Sequence, residues 1–249
     1  MCDTCGCGDV SKSHEHEHEH GHVTPGEGPG ARRTLDVRQG VLSRNDAFAS
    51  ENRRRLAALD TVAFNLISSP GAGKTSLLEA TIRRLAGEVP VAVIEGDLQT
   101  DRDAVRIAAT GAPVHQINTG EGCHLDAHQV GHAMDHLPIP ERGLLFIENV
   151  GNLVCPASFD LGETYRVVVL SVAEGDDKVE KYPVSFRSAH VLVINKVDLL
   201  EHVDFSIERC RETLSRLNPD ALVFEVSART GAGLDDWCGW ARSAAAKRR

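Results

Sequence analysis

The chain has 249 residues, with 36 acidic against 27 basic side chains and a formal net charge of −9 at pH 7. This charge argues against a protein that holds nucleic acid on a basic surface, and 41% hydrophobic residues suffice for a substantial core. No segment reaches the ~18 consecutive apolar residues of a membrane span, and the polar start MCDTCGCGD has no apolar signal region, so we expect a cytoplasmic protein without membrane insertion.

Residues 1–31 are predicted to be a flexible arm, because almost no apolar side chains are present to offset the entropy of ordering it. Three cysteines and the α-amino group of Met1 form a compact set of soft donors for Zn²⁺ or square-planar Ni²⁺, although a CxxC pair also suits a redox couple. Five histidines alternate mostly with Glu and predict weak storage of several metal ions, with a purification tag as the alternative. The cysteines are Cys2, Cys5 and Cys7, and the histidines are His14, His16, His18, His20 and His22.

The elements that follow predict one domain over residues 32–249. Residues 32–60 fit an amphipathic helical segment, whose pattern allows an interruption between Ser43 and Asp46. Seven apolar runs of strand length come next, separated by helical stretches, of which 74–85 and 205–217 are the clearest. Most runs are too uniformly apolar to face water, so they predict a doubly wound α/β domain with a mainly parallel sheet. The runs cover residues 62–67, 91–96, 114–118, 143–148, 165–172, 190–196 and 221–227.

A glycine-rich segment, SSPGAGKT, leads from the first run into the helix at 74, which is the position of a phosphate-binding P-loop. Gly71 and Gly73 allow the backbone N–H groups to turn inward, and the positive end of the helix dipole faces the phosphates. We expect Lys74 to reach the β and γ phosphates and Thr75 to bind Mg²⁺. Ser68 replaces the first Gly of the usual GxxxxGK(S/T) pattern, and a simple strand-to-helix turn is the alternative. The predicted phosphate contacts are Gly71, Ala72, Gly73, Lys74, Thr75 and Ser76.

The sixth run ends in the sequence NKVD, which contains Asn195, Lys196 and Asp198. A carboxylate such as Asp198 can accept hydrogen bonds from both N1–H and the 2-amino group of guanine, a pair of donors that adenine lacks. The next strand is followed by SARTG, which resembles the SAxTG loop of GTPases and adds Ser227 and Ala228. We therefore expect GTP and GDP, rather than adenine nucleotides, as ligands.

Two strand ends supply acids for Mg²⁺ or for the attacking water, and the sequence does not divide these roles. Glu148 begins ENVG, which resembles the DxxG switch of GTPases with Glu in place of Asp. Asp97 follows the second run, with Asp101 close behind. The predicted catalytic residues are Lys74, Asp97 and Glu148, and the predicted Mg²⁺ ligands are Thr75, Asp97 and Glu148. A solvated acid after a strand is the alternative in each case.

A further metal site is predicted inside the domain. Cys123 and His124 are adjacent, so both can face one ion only from a loop, which the glycine-rich TGEGCHLD provides. Cys155 lies in ENVGNLVCP, so a metal held by these three side chains would be tied to the switch that senses the γ-phosphate. Single buried cysteines are usually core residues, which is the alternative for this set.

The remaining candidate ligands are assigned to packing. Cys210 and Cys238 lie on helical faces and are expected in the core. Three histidines recur at intervals of four residues and share one helix face, which we expect to be solvated or packed rather than metal-binding. They are His128, His132 and His136.

Together these motifs resemble the HypB family, the nickel-incorporation GTPases of hydrogenase maturation. The resemblance extends from Met1 almost to the end of the chain, and the combination is highly specific, although the P-loop alone is not. The family varies at the position of Ser68. The matching segments are MCDTCGCGD, the His-rich arm, SPGAGKT, EGDLQTDRDA, GEGCHLDA, ENVGNLVCPA, GDDKVEKYP and NKVDL.

The resemblance implies a SIMIBI-class GTPase that delivers nickel to the large subunit of nickel–iron hydrogenase, with the metallochaperone HypA and in some members SlyD. It also implies a homodimer promoted by GTP, with the domain metal site at the subunit interface. GTP and Mg²⁺ are then expected to gate metal transfer by ordering the switch and shifting Cys155. The implied sites are a high-affinity nickel site at Cys2, Cys5 and Cys7, and a weaker Ni²⁺ or Zn²⁺ site at Cys123, His124 and Cys155.

Two other interpretations are carried alongside. The urease accessory GTPase UreG has a related architecture, but it is expected to carry a contiguous Cys-Pro-His motif, whereas Cys123-His124 and Cys155-Pro156 are separate here. The second interpretation is a nickel-storage protein, in which the His-rich arm dominates and nucleotide hydrolysis is secondary.

Overall fold

A computed structural model describes residues 29–97, 101–120 and 122–247, with side chains from residue 40 onward. Described residues from Gln39 onward form one compact unit, and the residues before it belong to a second unit. The domain boundary at residue 31 stays a prediction. The predicted arm ligands lie outside the described residues, namely Cys2, Cys5, Cys7, His14, His16, His18, His20 and His22.

Within the described residues, seven strands form a single sheet in the order β3-β2-β4-β1-β5-β6-β7, and every neighbouring pair is parallel. The seven predicted runs and the doubly wound α/β class are thereby confirmed. Because parallel strands end at one edge, the loops that carry the predicted site residues meet there. The strands are β1 Val62–Ser68, β2 Val91–Asp97, β3 Val114–Asn118, β4 Leu144–Glu148, β5 Tyr165–Ser171, β6 Val191–Asn195 and β7 Leu222–Glu225.

Helices cover both faces of the sheet, because alternate strand residues point to opposite sides and nearly all of them are apolar. Phe64 of β1 lies in the core beneath α2 and α8, whereas Ala63 lies in the opposite core with α1 and α4. Among the described helices, none is long and apolar enough to cross a membrane. The helices are α1 Pro29–Ala58, α2 Lys74–Leu85, α3 Arg102–Ala108, α4 Ala127–His136, α5 Lys178–Lys181, α6 Pro183–Arg187, α7 Ile207–Leu217 and α8 Leu234–Ala246, with 3₁₀ helices at Cys155–Ser158, Val172–Glu174 and Val197–His202.

Helix α1 is continuous, so the interruption that the sequence allowed between Ser43 and Asp46 is wrong. Asn45 lies at this point, and its side chain bonds the backbone of Ala127 and Asp160 across the domain. A side chain used in tertiary hydrogen bonds does not compete with the helix for its own backbone. The helix therefore passes through a polar stretch without a break.

Helix α8 packs against α2 on one face of the sheet. Trp237 is fully buried, and its Nε1 donates a hydrogen bond to Thr81 Oγ1 over 2.9 Å. Trp240 lies beside it, with ring centroids 5.5 Å apart. This contact fixes α2, whose first residue is Lys74, against the sheet.

The two cysteines assigned to helical faces are buried, as predicted. Cys210 of α7 and Cys238 of α8 belong to the hydrophobic cores on opposite faces of the sheet. Burial raises the pKa of both thiols to about 11, so both are protonated and inert at neutral pH.

Candidate functional site

The loop between β1 and α2 has the backbone that an anion-binding turn requires. Gly71 and Gly73 adopt φ values of +77° and +93°, which glycine reaches without strain. A cavity of about 490 Å³ lies against this loop and the first turn of α2. The N-terminus of a helix with free N–H groups attracts negative charge, so the cavity suits phosphate groups.

Lys74 is held in this cavity by Ser68, the residue that departs from the usual pattern. Its Nζ donates to Ser68 Oγ over 3.0 Å and lies 3.9 Å from Glu148 Oε1. The side chains of Lys74 and Glu148 are both almost fully buried. The hydroxyl of Ser68 thus positions the lysine that the sequence assigns to the phosphates.

Thr75 and Glu148 meet at the floor of the cavity. Thr75 Oγ1 donates to Glu148 Oε1 over 2.9 Å, and Glu148 Oε2 is buried without a hydrogen-bond partner among the described residues. Burial raises the pKa of Glu148, opposed by the charge of Lys74. A hydroxyl beside an unsatisfied carboxylate oxygen is a donor set that fits Mg²⁺, which prefers oxygen ligands.

Two acids that the sequence analysis missed complete this cluster. Glu95 and Asp103 place carboxylate oxygens within 4.8 Å of each other and of Glu148. Burial first, and then repulsion from Glu148, raise the pKa of Glu95 to about 11. Asp97 lines the same cavity but is outside this cluster, so its role as a ligand stays a prediction.

One signal in the sequence could have found Glu95. Glu95 is the only charged residue in its own apolar run, residues 91–96, and acids are almost never buried without a partner. Arg106 also lines the cavity, where it bonds Ser76 Oγ over 2.9 Å and Asp103 Oδ1 over 3.0 Å. The segment after β2 therefore supplies one acidic side chain, Asp103, and one cationic side chain, Arg106, to the wall of the cavity.

The residues of the NKVD and SARTG segments gather beside the phosphate loop. Asn195 Nδ2 donates to the Ala72 carbonyl over 3.0 Å, and its Oδ1 accepts from the Ala228 amide over 3.3 Å. Ser227 Oγ donates to Asp198 Oδ1 over 2.6 Å, and Lys196 Nζ donates to the Gly71 carbonyl over 2.6 Å. A smaller cavity of about 170 Å³ opens here, lined in part by Asn195, Lys196, Asp198 and Ala228.

Cys123, His124 and Cys155 are brought together, with one ligand atom of each within 4.8 Å of the others. Cys123 Sγ lies 3.6 Å from His124 Nδ1. Desolvation and the neighbouring Cys155 raise the pKa of the Cys123 thiol, while burial lowers the pKa of His124. Two thiols and a neutral imidazole are donors that borderline cations such as Ni²⁺ and Zn²⁺ accept.

Helix α1 holds together the two segments that carry these ligands. Asn45 Oδ1 accepts from the Ala127 amide over 2.9 Å, and its Nδ2 donates to the Asp160 carbonyl over 2.7 Å. Asn52 Nδ2 likewise donates to the Ala127 and Leu161 carbonyls. The start of α4, just after His124, is therefore tied to the chain that follows Cys155.

Asn149 links the phosphate cavity to the Cys–His loop. It directly follows Glu148, is 1% exposed, and accepts a hydrogen bond at Oδ1 from the Leu125 amide over 3.0 Å. Its Nδ2 donates to Asn65 Oδ1 over 3.3 Å. A shift of the segment after β4 would move the residue next to His124.

The three histidines of α4 lie on one exposed face of that helix. His128 contacts Phe48 edge to face, with ring centroids 4.9 Å apart. The rings of His132 and His136 lie 4.7 Å apart, and His115 of β3 stacks on His136.

Comparisons with known proteins agree with this arrangement. The model of the family described as "CobW/HypB/UreG, nucleotide-binding domain" matches residues 62–225, which contain all seven strands. The hydrogenase maturation factor HypB of Azotobacter vinelandii is 58% identical over 208 residues, which cover 84% of this chain and 69% of that protein.

Two solved structures are similar in fold. HypB from Helicobacter pylori in complex with nickel superposes with a TM-score of 0.77 at 39% identity, covering 82% of this chain and 96% of that one. The hydrogenase maturation factor HypB from Archaeoglobus fulgidus gives a TM-score of 0.77 at 43% identity, covering 82% of this chain and 100% of that one.

Proposed function

The chain belongs to the CobW/HypB/UreG family and, within it, to the HypB hydrogenase maturation factors, and on this premise we propose that it is a GTP-hydrolysing nickel metallochaperone. One observation carries the proposal: Asn149 connects the acid of the phosphate cavity, Glu148, to the loop that bears Cys123 and His124. A nucleotide site and a soft-metal site are thus joined by a buried hydrogen bond.

Guanine selectivity is assigned to Asp198. Its Oδ1 accepts from Ser227, which orients the carboxylate at the edge of the smaller cavity. A carboxylate so placed accepts from N1–H and the 2-amino group of guanine, whereas adenine presents no such pair. Asn195 contributes by holding the base-reading segments against the phosphate loop.

The test is the Asp198→Asn variant. We expect GTP affinity to fall by about 10²-fold or more, with xanthosine triphosphate now preferred, because its 2-oxo group pairs with the new amide. Asp204→Asn, an exposed acid nearby, is the matched control and should leave both affinities unchanged. An unaltered preference for GTP in Asp198→Asn would remove this assignment.

Hydrolysis is assigned to the acids of the larger cavity. Lys74 lies where it can neutralise charge on the β and γ phosphates, and Glu148 lies beside it to orient a metal ligand or the attacking water. Thr75, Glu148 and Asp97 would hold Mg²⁺, which supplies further charge neutralisation on the phosphates when bound. The products are GDP and phosphate.

Nickel is the proposed cargo, held in the domain by Cys123, His124 and Cys155, with Zn²⁺ as a competing ion. The further nickel site proposed at Cys2, Cys5 and Cys7 would supply it. Binding releases the thiol protons, because thiolates rather than thiols ligate the metal.

GTP is proposed to gate the transfer of the metal. Binding of GTP and Mg²⁺ in the phosphate cavity would shift the segment after β4. Asn149 would transmit that shift through its hydrogen bond to Leu125, the residue after His124. Coupling between two sites is reciprocal, so nickel should change GTP affinity as GTP changes nickel affinity. A homodimer promoted by GTP is part of this proposal.

The gating proposal is tested by measuring GTP affinity and turnover with and without Ni²⁺, in the wild type and in the Cys123→Ala/Cys155→Ala variant. Nickel should alter the wild type and leave the variant unaffected. Identical behaviour of the two proteins, with or without nickel, would rule gating out.

The proposed client is the large subunit of nickel–iron hydrogenase, in the cytoplasm, with HypA and in some cells SlyD as partners. Deleting the gene should abolish hydrogenase activity, and excess nickel should restore it. Loss of urease activity alone would identify a urease-type factor instead, and unchanged activity of both enzymes would favour nickel storage.

A further inference from the structure

A cluster of three imidazoles lies at the edge of the sheet. His115 belongs to β3, the edge strand, and His132 and His136 lie one turn apart on α4, which packs against β3. The ring centroids of His132 and His136 are 4.7 Å apart, and those of His115 and His136 are 5.8 Å apart. His136 thus lies between the other two.

This cluster is separate from the sites described above. Helix α4 begins just after the Cys123–His124 loop and has His136 as its last residue, roughly 14 Å further along the helix at 1.5 Å per residue. His115 lies near the amino end of its strand, whereas the nucleotide cavities lie at the carboxyl end of the sheet. Neither the proposed GTP hydrolysis nor the proposed nickel transfer uses these three histidines.

The centroid separations of two of the three ring pairs are close to that of imidazoles on a shared ion, while the ring nitrogens of all three do not lie within 4.8 Å of one another. With nitrogen about 2.0 Å from a tetrahedral Zn²⁺, the centroids of two bound imidazoles stand roughly 5 Å apart. The two measured separations lie on either side of that value. The pair at positions i and i+4 on one helix face is a spacing that metal sites use.

The ring nitrogens are also available. Within the described parts of the chain, none of the three side chains has a hydrogen bond or ion pair, and His132 and His136 are exposed. Burial, followed by the two neighbouring imidazoles, lowers the pKa of His115, so its ring is neutral at pH 7. Neutral imidazole is the form that ligates metals.

We propose that His115, His132 and His136 form an additional metal site at the β3 edge, which takes a borderline divalent cation such as Ni²⁺ or Zn²⁺. The rings turn about their terminal side-chain torsion to direct one nitrogen each at the ion, a rotation with broad minima in histidine. Water completes the coordination. The proposal stands whether or not the protein hydrolyses GTP.

The experiment uses the full-length protein with ¹⁵N-labelled histidine, and imidazole resonances assigned by single His→Gln variants. Zn²⁺ is added stepwise and the resonances are followed by NMR. We expect those of His115, His132 and His136 to shift together, with one midpoint. In the His132→Gln protein, the midpoint for the other two should rise at least about tenfold, about 1.4 kcal/mol.

The matched control is His128→Gln, because His128 is exposed on the same helix but packs against Phe48. This variant should leave the Zn²⁺ response of the three histidines unchanged. The proposal is overturned if His115 does not respond, if the three titrate with different midpoints, or if His128→Gln weakens the response as much as His132→Gln.

Discussion

The side chain of Asn195 lies directly against the backbone of Gly73. Its Nδ2 donates to the Ala72 carbonyl over 3.0 Å, and a Cβ built on Gly73 would stand 2.7 Å from the same nitrogen. Since Asn195 also accepts from the Ala228 amide, one residue fastens the base-reading segments to the phosphate loop. The side chain of Asn195 therefore holds these two segments together.

Gly73→Ala should break this arrangement. The added methyl group must displace Asn195, and φ of +93° is strained for any residue with a Cβ. We expect nucleotide affinity to fall by about 10- to 100-fold, as measured by calorimetry. Gly111→Ala, with φ of +87° but no atom within 4 Å, is the control: it carries the strain alone and should leave affinity unchanged.

Asn149→Ala should uncouple the two proposed sites. The variant leaves the buried Leu125 amide without its acceptor, at a cost of about 1–3 kcal/mol in the free energy of unfolding. Nickel should still bind, but GTP should no longer change its affinity. Asn218→Ala is the control, because it also removes an amide that bonds backbone carbonyls, and none of its three partners belongs to either proposed site. If GTP still alters nickel affinity in Asn149→Ala, the hydrogen bond does not carry the coupling.

Asn45→Ala should weaken metal binding without touching a ligand. It removes the bridge between the Ala127 amide and the Asp160 carbonyl, so the two ligand-bearing segments lose their common support. We expect nickel affinity at the domain site to fall by about 10-fold, as for the loss of other supporting groups. Ser50→Ala, an exposed change on the same helix, should have no effect. Equal affinities for the two variants would contradict the role of α1.

Glu95→Gln should change how stability depends on pH. The folded protein holds a proton on Glu95 with a pKa of about 11, whereas the unfolded chain releases it near 4.5. The folded state therefore binds more protons, and stability falls as pH rises between these values, by up to about 1.4 kcal/mol per unit. Urea unfolding of the nucleotide-free protein at pH 6 and pH 8 measures this loss.

In Glu95→Gln the loss between pH 6 and pH 8 should be smaller, because glutamine has no proton to retain. Glu208→Gln, an exposed acid on α7, should keep the wild-type pH dependence. A wild-type slope in Glu95→Gln would show that the carboxyl does not hold its proton in the folded protein.

Most of the strands could be predicted from the sequence because burial on both faces makes them almost uniformly apolar. Helix α2 was predicted with the bounds Lys74 and Leu85 that the structure has, since the P-loop fixes its start. Glu95 was missed for a physical reason: its partner, Glu148, is its register neighbour on β4, and strand order is not visible in a single sequence.

The histidine cluster shows the same limit. His132 and His136 are related by helical periodicity, so the sequence predicts their common face, but His115 joins them only through the packing of α4 on the edge strand. The continuity of α1 likewise depends on Asn45 finding partners about 80 and 115 residues away. The local sequence pattern predicts helices and strands, whereas contacts between residues far apart in the sequence depend on the tertiary fold.

The packing of α8 on α2 determines which part of the protein its intrinsic fluorescence reports on. Both tryptophans of the chain lie on α8, and Trp237 is bonded to the helix that begins at Lys74. Their fluorescence therefore originates on the face of the sheet that supports the phosphate loop, on the opposite side from α1 and α4. A change in tryptophan emission on adding nucleotide would report a change around α2. The loop that carries Cys123 and His124 lacks tryptophan, so following it by fluorescence requires an added label.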